Sequence, residues 1–197
     1  MSTEEKILNA AKNVFVIKGM AGARMQDIAD EAGINKALLH YYFRSKEKLF
    51  ETIFSETGQR FIPEVNKLIN SDLPLFEKIE GFCQKYIEMG LENPYLPLFV
   101  INEANKQDHD FVNKIWGSQK PDVGKLIEQI EFEVKAGNIK SVSAAQLLMN
   151  IMSLCVFPFL GKPIWQMLTG MDDLQFRHLI ELRKKEVSKF IIDSIRK

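Results

Sequence analysis

The stretch DIADEAGINKALLHYYFRSKEKLF, residues 27–50, decides how the N-terminal part of the chain folds. Its apolar residues recur at helical spacing on both sides of Gly33. Two helices joined by a glycine-containing turn form a helix-turn-helix when they can approach closely and lock together through apolar residues. Ala29 is small enough for that approach, and Gly33 accepts the positive φ that a sharp turn requires. The stretch therefore predicts a helix-turn-helix.

The second helix of this unit has an outward face with hydrogen-bonding and flat side chains. Ile28, Ile34 and Leu39 are expected to point inward and lock the pair. The remaining outward positions are Lys36, Ala37, His40, Tyr41 and Tyr42. Adjacent helical positions diverge by about 100°, so we expect one tyrosine to face outward and the other to join the core. Major-groove reading uses such side chains, but similar helix pairs also occur in proteins that bind nothing.

Charge is distributed unevenly along the chain. The 26 basic and 26 acidic residues cancel, so no field of the whole molecule attracts nucleic acid or a membrane. Residues 33–48 nevertheless contain four basic residues and one acid. Two of the four, Lys46 and Lys48, begin the next helix, where their charge and the helix dipole can both favour a phosphate.

Two segments carry a resemblance to a known family. ILNAAKNVFVIKG (residues 7–19), QDIADEAGINKALLHYYFRSKEKLF (residues 26–50) and the spacing between them resemble the N-terminal domain of TetR-type transcriptional regulators. The most specific feature is the glycine turn, followed ten residues later by Phe43 and then by Ser45, Lys46 and Glu47. The resemblance implies an all-α homodimer with a three-helix DNA-binding head, residues 1–47, and a larger ligand-binding and dimerisation body, residues 48–197.

The resemblance also implies which residues contact an operator. The candidate DNA-binding set is Arg24, Asn35, Lys36, Ala37, His40, Tyr41, Tyr42, Lys46 and Lys48. The chain departs from the family at two of these positions, since the family often has tyrosine in place of His40 and threonine in place of Arg24. A charged Arg24–phosphate contact would strengthen binding without reading sequence. His40 can donate to guanine or accept from adenine according to its tautomer, so the sequence does not identify the target bases.

Helical spacing continues through the rest of the chain and predicts nine or ten helices and no strand. Pro63 is expected to kink or end the fourth helix near residues 59–62, because its ring clashes with the preceding turn. Pro121 is expected to begin a helix that ends at Gly137. Cys83 and Cys155 lie in apolar helical patterns and are expected to be buried free thiols.

The body is rich in phenylalanine, methionine and tryptophan, and the resemblance implies a cavity there for a small apolar or amphipathic effector. The candidate pocket residues are Phe82, Tyr86, Asn102, Trp116, Met149, Met152, Phe157 and Trp165. Plain core is the alternative for each of the apolar ones, and a solvated surface is the alternative for nearby polar residues.

The last two long helices resemble the pair through which the family dimerises as a four-helix bundle. Residues 144–157 are apolar nearly all round, which exceeds what one core face requires. The candidate dimer residues are Leu147, Leu154, Phe176, Leu179, Ile180, Val187, Phe190 and Ile191. Burial of a large apolar side chain contributes roughly 1.5–3 kcal/mol, so several of them outweigh typical association costs.

Other classes of protein fit the sequence less well. His40, His109 and His178 lie in separate segments, and the chain has no HExxH, GxSxG or phosphate-binding glycine loop, so we expect no enzyme. Two cysteines without CxxC spacing predict no zinc site, and no cofactor is expected. An acidic N-terminus and the lack of a ~20-residue apolar run predict a cytoplasmic protein without a membrane span. A helical adaptor that binds protein through its basic last helix is the alternative function.

Overall fold

The computed structural model describes residues 1–105 and 121–197. Within these residues it contains ten α-helices, and its only β-type pairing is an isolated antiparallel bridge between Ile139 and Arg196. The all-α prediction is therefore confirmed. The helices are α1 (Thr3–Gly22), α2 (Met25–Ala32), α3 (Lys36–Tyr42), α4 (Lys46–Ile69), α5 (Leu75–Glu92), α6 (Leu96–Asn105), α7 (Gly124–Lys135), α8 (Ala144–Leu160), α9 (Lys162–Thr169) and α10 (Asp173–Ile195).

One compact unit, called the head unit below, contains Met1–Arg60 and the described residues 93–105. Its core joins α1, α2, α3, the first half of α4 and α6. Phe15 meets Phe50 edge to face, with ring centroids 4.9 Å apart. Phe99 of α6 lies 4.3 Å from Phe50 and 5.4 Å from Phe54, measured between ring centroids. The buried apolar residues of this core include Ile7, Leu8, Ala11, Val14, Phe15, Ile28, Ala29, Leu39, Phe43, Leu49, Phe50 and Ile53.

Helix α4 runs without a break from Lys46 to Ile69, so Pro63 does not end it near residues 59–62, and the kink that was the other expectation stays a prediction. Proline removes one backbone hydrogen bond and crowds the preceding turn. In α4 the turns on both sides of Pro63 are held by burial, because Ile62, Val65 and Ile69 are all buried. Tertiary packing outweighs the local cost of the proline.

The second compact unit, called the body unit below, contains Phe61–Glu92 and the described residues from 121 to 197. Helix α10 packs on α5 and α8, and α7 packs on the same two helices. Cys83 of α5 and Cys155 of α8 are buried free thiols, which confirms the expectation for them. Lys78 is buried as well, and its ammonium donates to the Ile69 carbonyl at the end of α4 (2.9 Å). Burial lowers the pKa of Lys78 from its ordinary value.

Other details of the body unit differ from expectation. The helix expected to begin at Pro121 begins at Gly124. Pro158 lies inside α8, which bends by 67° into α9. No single helix of the described residues is long and apolar enough to cross a membrane, whereas α8 and α9 together pass that test by length and composition only. The boundary between a DNA-binding head and a ligand-binding body at residues 47 and 48 stays a prediction. The chain passes from the first compact unit to the second within α4, after Arg60.

Candidate DNA-binding site

Helix α3 is short, and its two ends are fixed by specific contacts. Gly33 ends α2 with a φ of 66°, and the Ile34 amide donates to the Ala29 carbonyl (3.0 Å). Asn35 then caps α3 by accepting a hydrogen bond from the Leu38 amide (2.7 Å). Asparagine at this position typically stabilises a helix by about 1 kcal/mol. The turn and the cap set the direction in which α3 leaves α2.

The inward side of α3 is anchored and its outward side is free for DNA. Leu39 is fully buried, and Phe43, the residue that ends the helix, is 5% exposed. Lys36, Ala37 and His40 are exposed together on the opposite side, where the spacing puts them.

The two tyrosines do not divide as the sequence predicts. Tyr41 is 82% exposed and Tyr42 is 40% exposed, so neither joins the core. Their rings meet edge to face with centroids 5.5 Å apart. The prediction that one of them is buried is wrong, because Leu39 and Phe43 already fill the inward positions of this short helix.

His40 has a partner at the end of its own helix. Its ring Nδ1 lies 3.3 Å from the Arg44 carbonyl oxygen, four residues further along the chain. The Phe43 amide closes the same turn by donating to the Leu39 carbonyl (2.8 Å). The imidazole is therefore oriented before any DNA arrives.

Lys46 and Lys48 differ in what their ammonium groups contact. Lys46 is half-buried, and its Nζ donates to the carbonyls of Met20 (2.9 Å) and Ala23 (3.3 Å) at the end of α1. Lys48 is exposed and pairs with Glu51 at 3.2 Å. The phosphate contact expected of Lys46 stays a prediction. To make it, the ammonium would have to leave the two carbonyls of α1 or share its protons with them.

Arg24 lies just before α2 with its side chain exposed, as a phosphate contact requires. Its backbone amide donates to Asp27 Oδ2 (3.1 Å). The other oxygen of Asp27 pairs with Lys18 of α1 at 2.9 Å. The hydrogen bond from Lys18 is the main reason why the pKa of Asp27 lies below its ordinary value. Asp27 thus ties α1 to α2.

The candidate pocket residues that the structure describes in the body unit divide between its core and its surface. Phe82 and Tyr86 lie in α5 with ring centroids 5.9 Å apart, and burial raises the pKa of Tyr86. Asn102 is exposed on α6, in the head unit, and Trp116 lies outside the described residues. The other four candidates are also exposed, by 60%, 42%, 52% and 42% respectively: Met149, Met152, Phe157 and Trp165. The assignment of these four residues to a ligand pocket stays a prediction, and the described chain places them at its surface.

Most of the candidate dimer residues are buried, although a dimer contact requires them at the surface. Five of them belong to the core of the body unit: Leu147, Phe176, Ile180, Val187 and Ile191. Leu154 is half-buried, and Leu179 and Phe190 are exposed by 41% and 66%. For the five buried residues the prediction of a surface contact is wrong. Helices that are apolar nearly all round do not reveal from sequence which stripe faces inward.

Two features of the body unit could not be located from the sequence. The exposed apolar surface of α8, α9 and α10, called the apolar face below, includes Met149, Met152, Phe157, Ile164, Trp165, Met167, Leu168, Leu174, Leu179, Leu182 and Phe190. A half-open cleft of about 470 Å³ lies between α8 and α10. Its lining includes the side chains of Asn150, Ser153, Phe190 and Ser194. Folding alone brings the cleft residues together, since they come from separated segments.

An exposed, basic and capped α3 behind a glycine turn is the geometry of a helix-turn-helix DNA-binding protein. Residues 7–53 match the family model described as bacterial regulatory proteins of the tetR family. The HTH-type transcriptional regulator RutR of Escherichia coli K12 is 24% identical over 196 residues, which cover 98% of this chain and 90% of RutR. The HTH-type transcriptional repressor NicS of Pseudomonas putida is 43% identical over 59 residues, 30% of this chain and 28% of NicS.

Solved structures share the fold over nearly the whole chain. HlyIIR, a hemolysin II transcriptional regulator, superposes with a TM-score of 0.63 at 25% identity and covers 99% of this chain and 97% of its own. FadR of Bacillus subtilis, solved in complex with stearoyl-CoA, superposes with a TM-score of 0.62 at 19% identity, covering 98% and 99%. Residues 7–53 match the tetR family, and the chain as a whole is a DNA-binding transcriptional regulator. Its relatives are regulators rather than enzymes.

Proposed function

We propose that the protein is a ligand-responsive repressor that binds a near-palindromic operator as a homodimer and is released by a small apolar or amphipathic effector. The observation that carries the proposal is the exposed face of α3, with Lys36, Ala37 and His40 beside the exposed Tyr41. Such a face supplies donors, acceptors and an apolar methyl to the major groove. A regulator of this kind acts on chromosomal DNA, so we place it in the cytoplasm.

Backbone contacts would orient α3 in the groove. Arg24 and Lys48 are exposed near α3 in the sequence and can neutralise phosphates. Asn35 uses its side-chain oxygen to cap α3, which leaves its amide nitrogen for a phosphate. These contacts would set register and affinity, whereas the residues of the α3 face would set sequence preference.

The apolar face supports the homodimer. A monomer would leave large side chains such as Phe190 (66% exposed) and Leu182 (55% exposed) in water. A two-fold axis through this face would pair it with its own copy, since such an interface uses the same surface twice. Two recognition helices about 34–36 Å apart would then read half-sites one turn of the duplex apart.

The effector would act by binding better to a conformer whose two heads do not match the operator spacing. The aromatic pair Phe82 and Tyr86 in the body core supports a site for an apolar chain. FadR of Bacillus subtilis, which shares the fold, binds stearoyl-CoA. Acyl-CoAs and free fatty acids are therefore the first compounds to test, by their ability to release labelled operator from the protein.

The DNA contact is tested by replacing Lys36 with alanine. We expect operator affinity to fall. If Lys36 contacts a phosphate, the magnitude of the slope of log K against log salt should fall by about one; if it contacts a base, the slope should change less. Lys135→Ala is the control, because Lys135 is an exposed lysine in the last turn of α7. Unchanged affinity for Lys36→Ala, in a protein with the thermal midpoint of the parent, would remove α3 from the recognition site.

The same measurement separates the proposal from the adaptor alternative. An adaptor would shift no genomic fragment in an electrophoretic assay, whereas a regulator shifts a few fragments with strong salt dependence. The match of residues 7–53 to a family of regulatory proteins favours the second outcome.

A further inference from the structure

The contact of the His40 ring with the Arg44 carbonyl determines which ring nitrogen is available to DNA. A carbonyl oxygen only accepts hydrogen bonds, so the ring Nδ1, 3.3 Å away, must carry the proton and donate it. In a neutral imidazole one nitrogen donates and the other accepts. The neutral ring of His40 therefore has an unprotonated Nε2.

The position of His40 leaves this Nε2 as the polar atom that can reach a base. His40 and Lys36 are four residues apart on the exposed side of α3, so they share one helical face. The Nδ1 of His40 is already engaged at the end of the helix. The side chain can offer DNA an acceptor from Nε2, and offers a second donor only when the ring is charged.

We propose that His40 determines specificity by accepting a hydrogen bond from the exocyclic amino group of adenine or cytosine in the major groove. Adenine N6 and cytosine N4 are the donors that base pairs present there. Guanine N7 and O6 and thymine O4 are acceptors, and they would face the Nε2 lone pair without a proton between them. This inference rests on the proposed function, because it requires α3 to lie in the groove.

The tautomer is tested first, without DNA. Nitrogen NMR of the full-length, ¹⁵N-labelled protein at about pH 8, where histidine side chains are usually neutral, distinguishes a protonated ring nitrogen from an unprotonated one. The His40 signals are identified by their loss in His40→Gln. We expect Nδ1 to carry the proton. A proton on Nε2, or an equal mixture of the two tautomers, would overturn the proposal.

Base preference is tested next with duplexes that the full-length protein selects from a randomised library at the same pH. Selection with His40→Ala should lose the preference for one base pair of each half-site. The adenine or cytosine of that pair carries the exocyclic amino group that His40 would contact. Selection with His178→Ala is the control, because His178 is exposed on α10 in the body unit. An unchanged preference at every position of the half-site with His40→Ala would overturn the inference while DNA binding stands.

The contacted atom is tested by removing the amino group from that base. Purine replaces adenine, or pyrimidin-2-one replaces cytosine, in the selected duplex. We expect affinity of the parent protein to fall about three- to tenfold, as for one neutral hydrogen bond, and His40→Ala to bind both duplexes equally. An equal loss for both proteins would refute the contact. Failure of the parent to select any duplex would refute the proposed function, and this inference with it.

Discussion

At the scale of single residues, Lys46 shows how a side chain that resembles a DNA contact can have a structural role. Its ammonium donates to two carbonyls at the end of α1, where backbone acceptors have no partner within the helix. Hydrogen bonds from a charged donor contribute about 1.5–3 kcal/mol each when they are buried. Lys46 therefore holds the start of α4 against the end of α1.

Replacing Lys46 with methionine should destabilise the protein by about 1–3 kcal/mol, because two carbonyls lose their donor. Operator affinity should fall as the head unit loosens, yet the slope of log K against log salt should not change. Lys48→Met is the matched comparison, because Lys48 is exposed. That variant should retain stability and lose about one unit of slope. A stable Lys46→Met protein with a reduced slope would return Lys46 to the phosphate contacts.

The sequence predicts the outward face of α3 well but says little about what individual side chains contact. Leu39 and the exposed Lys36 follow from helical periodicity alone. The tautomer of His40 does not, because it depends on the backbone path at Arg44. The partners of Lys46 do not either, since Met20 lies 26 residues earlier in the chain.

At the scale of helices, α3 has seven residues, too few to be stable alone in water. Its structure depends on α2, which in turn is tied to α1 through Asp27 and Lys18 (2.9 Å). Small electrostatic contacts can therefore affect the recognition helix indirectly.

The Lys18–Asp27 contact should make stability depend on pH. The pKa of Asp27 is lower in the folded chain than its ordinary value of 3.8. The folded state therefore gains stability from Asp27 above pH 3.8, and this gain disappears as the pH falls through the lowered pKa. We expect Asp27→Asn to lower the thermal midpoint at pH 7, and we expect its difference from the parent to shrink as acid protonates Asp27.

Lys18→Met supplies the control for this pH dependence. It removes the partner that lowers the pKa, so its difference from the parent should also shrink in acid. The double variant should lose less than the sum of the two single losses. Additive losses, or a difference for Asp27→Asn that is constant with pH, would show that the ion pair contributes nothing.

Helix boundaries were predicted where the stop signals are local and missed where packing decides. Gly33 ends α2 and Asn35 caps α3, as the residue types indicate. Pro63 does not end α4, because the flanking turns are buried. A strong local signal is overridden only when several buried contacts oppose it.

At the scale of the whole molecule, the apolar face of α8, α9 and α10 leaves many large apolar side chains of the described chain exposed. Four of its residues were expected in a pocket, whereas five of the eight residues expected at a dimer contact fill the core. The composition of these helices predicted that a second apolar surface exists. The composition could not predict which stripe of each helix faces the core and which faces outward, because the two stripes differ little in apolar content.

Replacing Phe190 with glutamate should convert the protein to a monomer and weaken operator binding, because a buried charge would be introduced on both sides of the two-fold interface. Phe132→Glu is the matched control, since Phe132 lies on α7 with nearly the same exposure, 65% against 66% for Phe190. Sedimentation equilibrium measures the mass of each variant. If Phe190→Glu forms dimers with the dissociation constant of the parent, the dimer interface does not include Phe190.

The position of Phe99 has a consequence for any attempt to study DNA recognition with a shortened protein. Its ring covers Phe50 and Phe54, although almost fifty residues separate it from them along the chain. A fragment cut after Arg60 would present those two rings to solvent and lack part of its core, and a fragment cut after α3 would lack the two rings themselves. The recognition helix is seven residues long, but the core that supports it is completed by α6, which comes from the middle of the polypeptide.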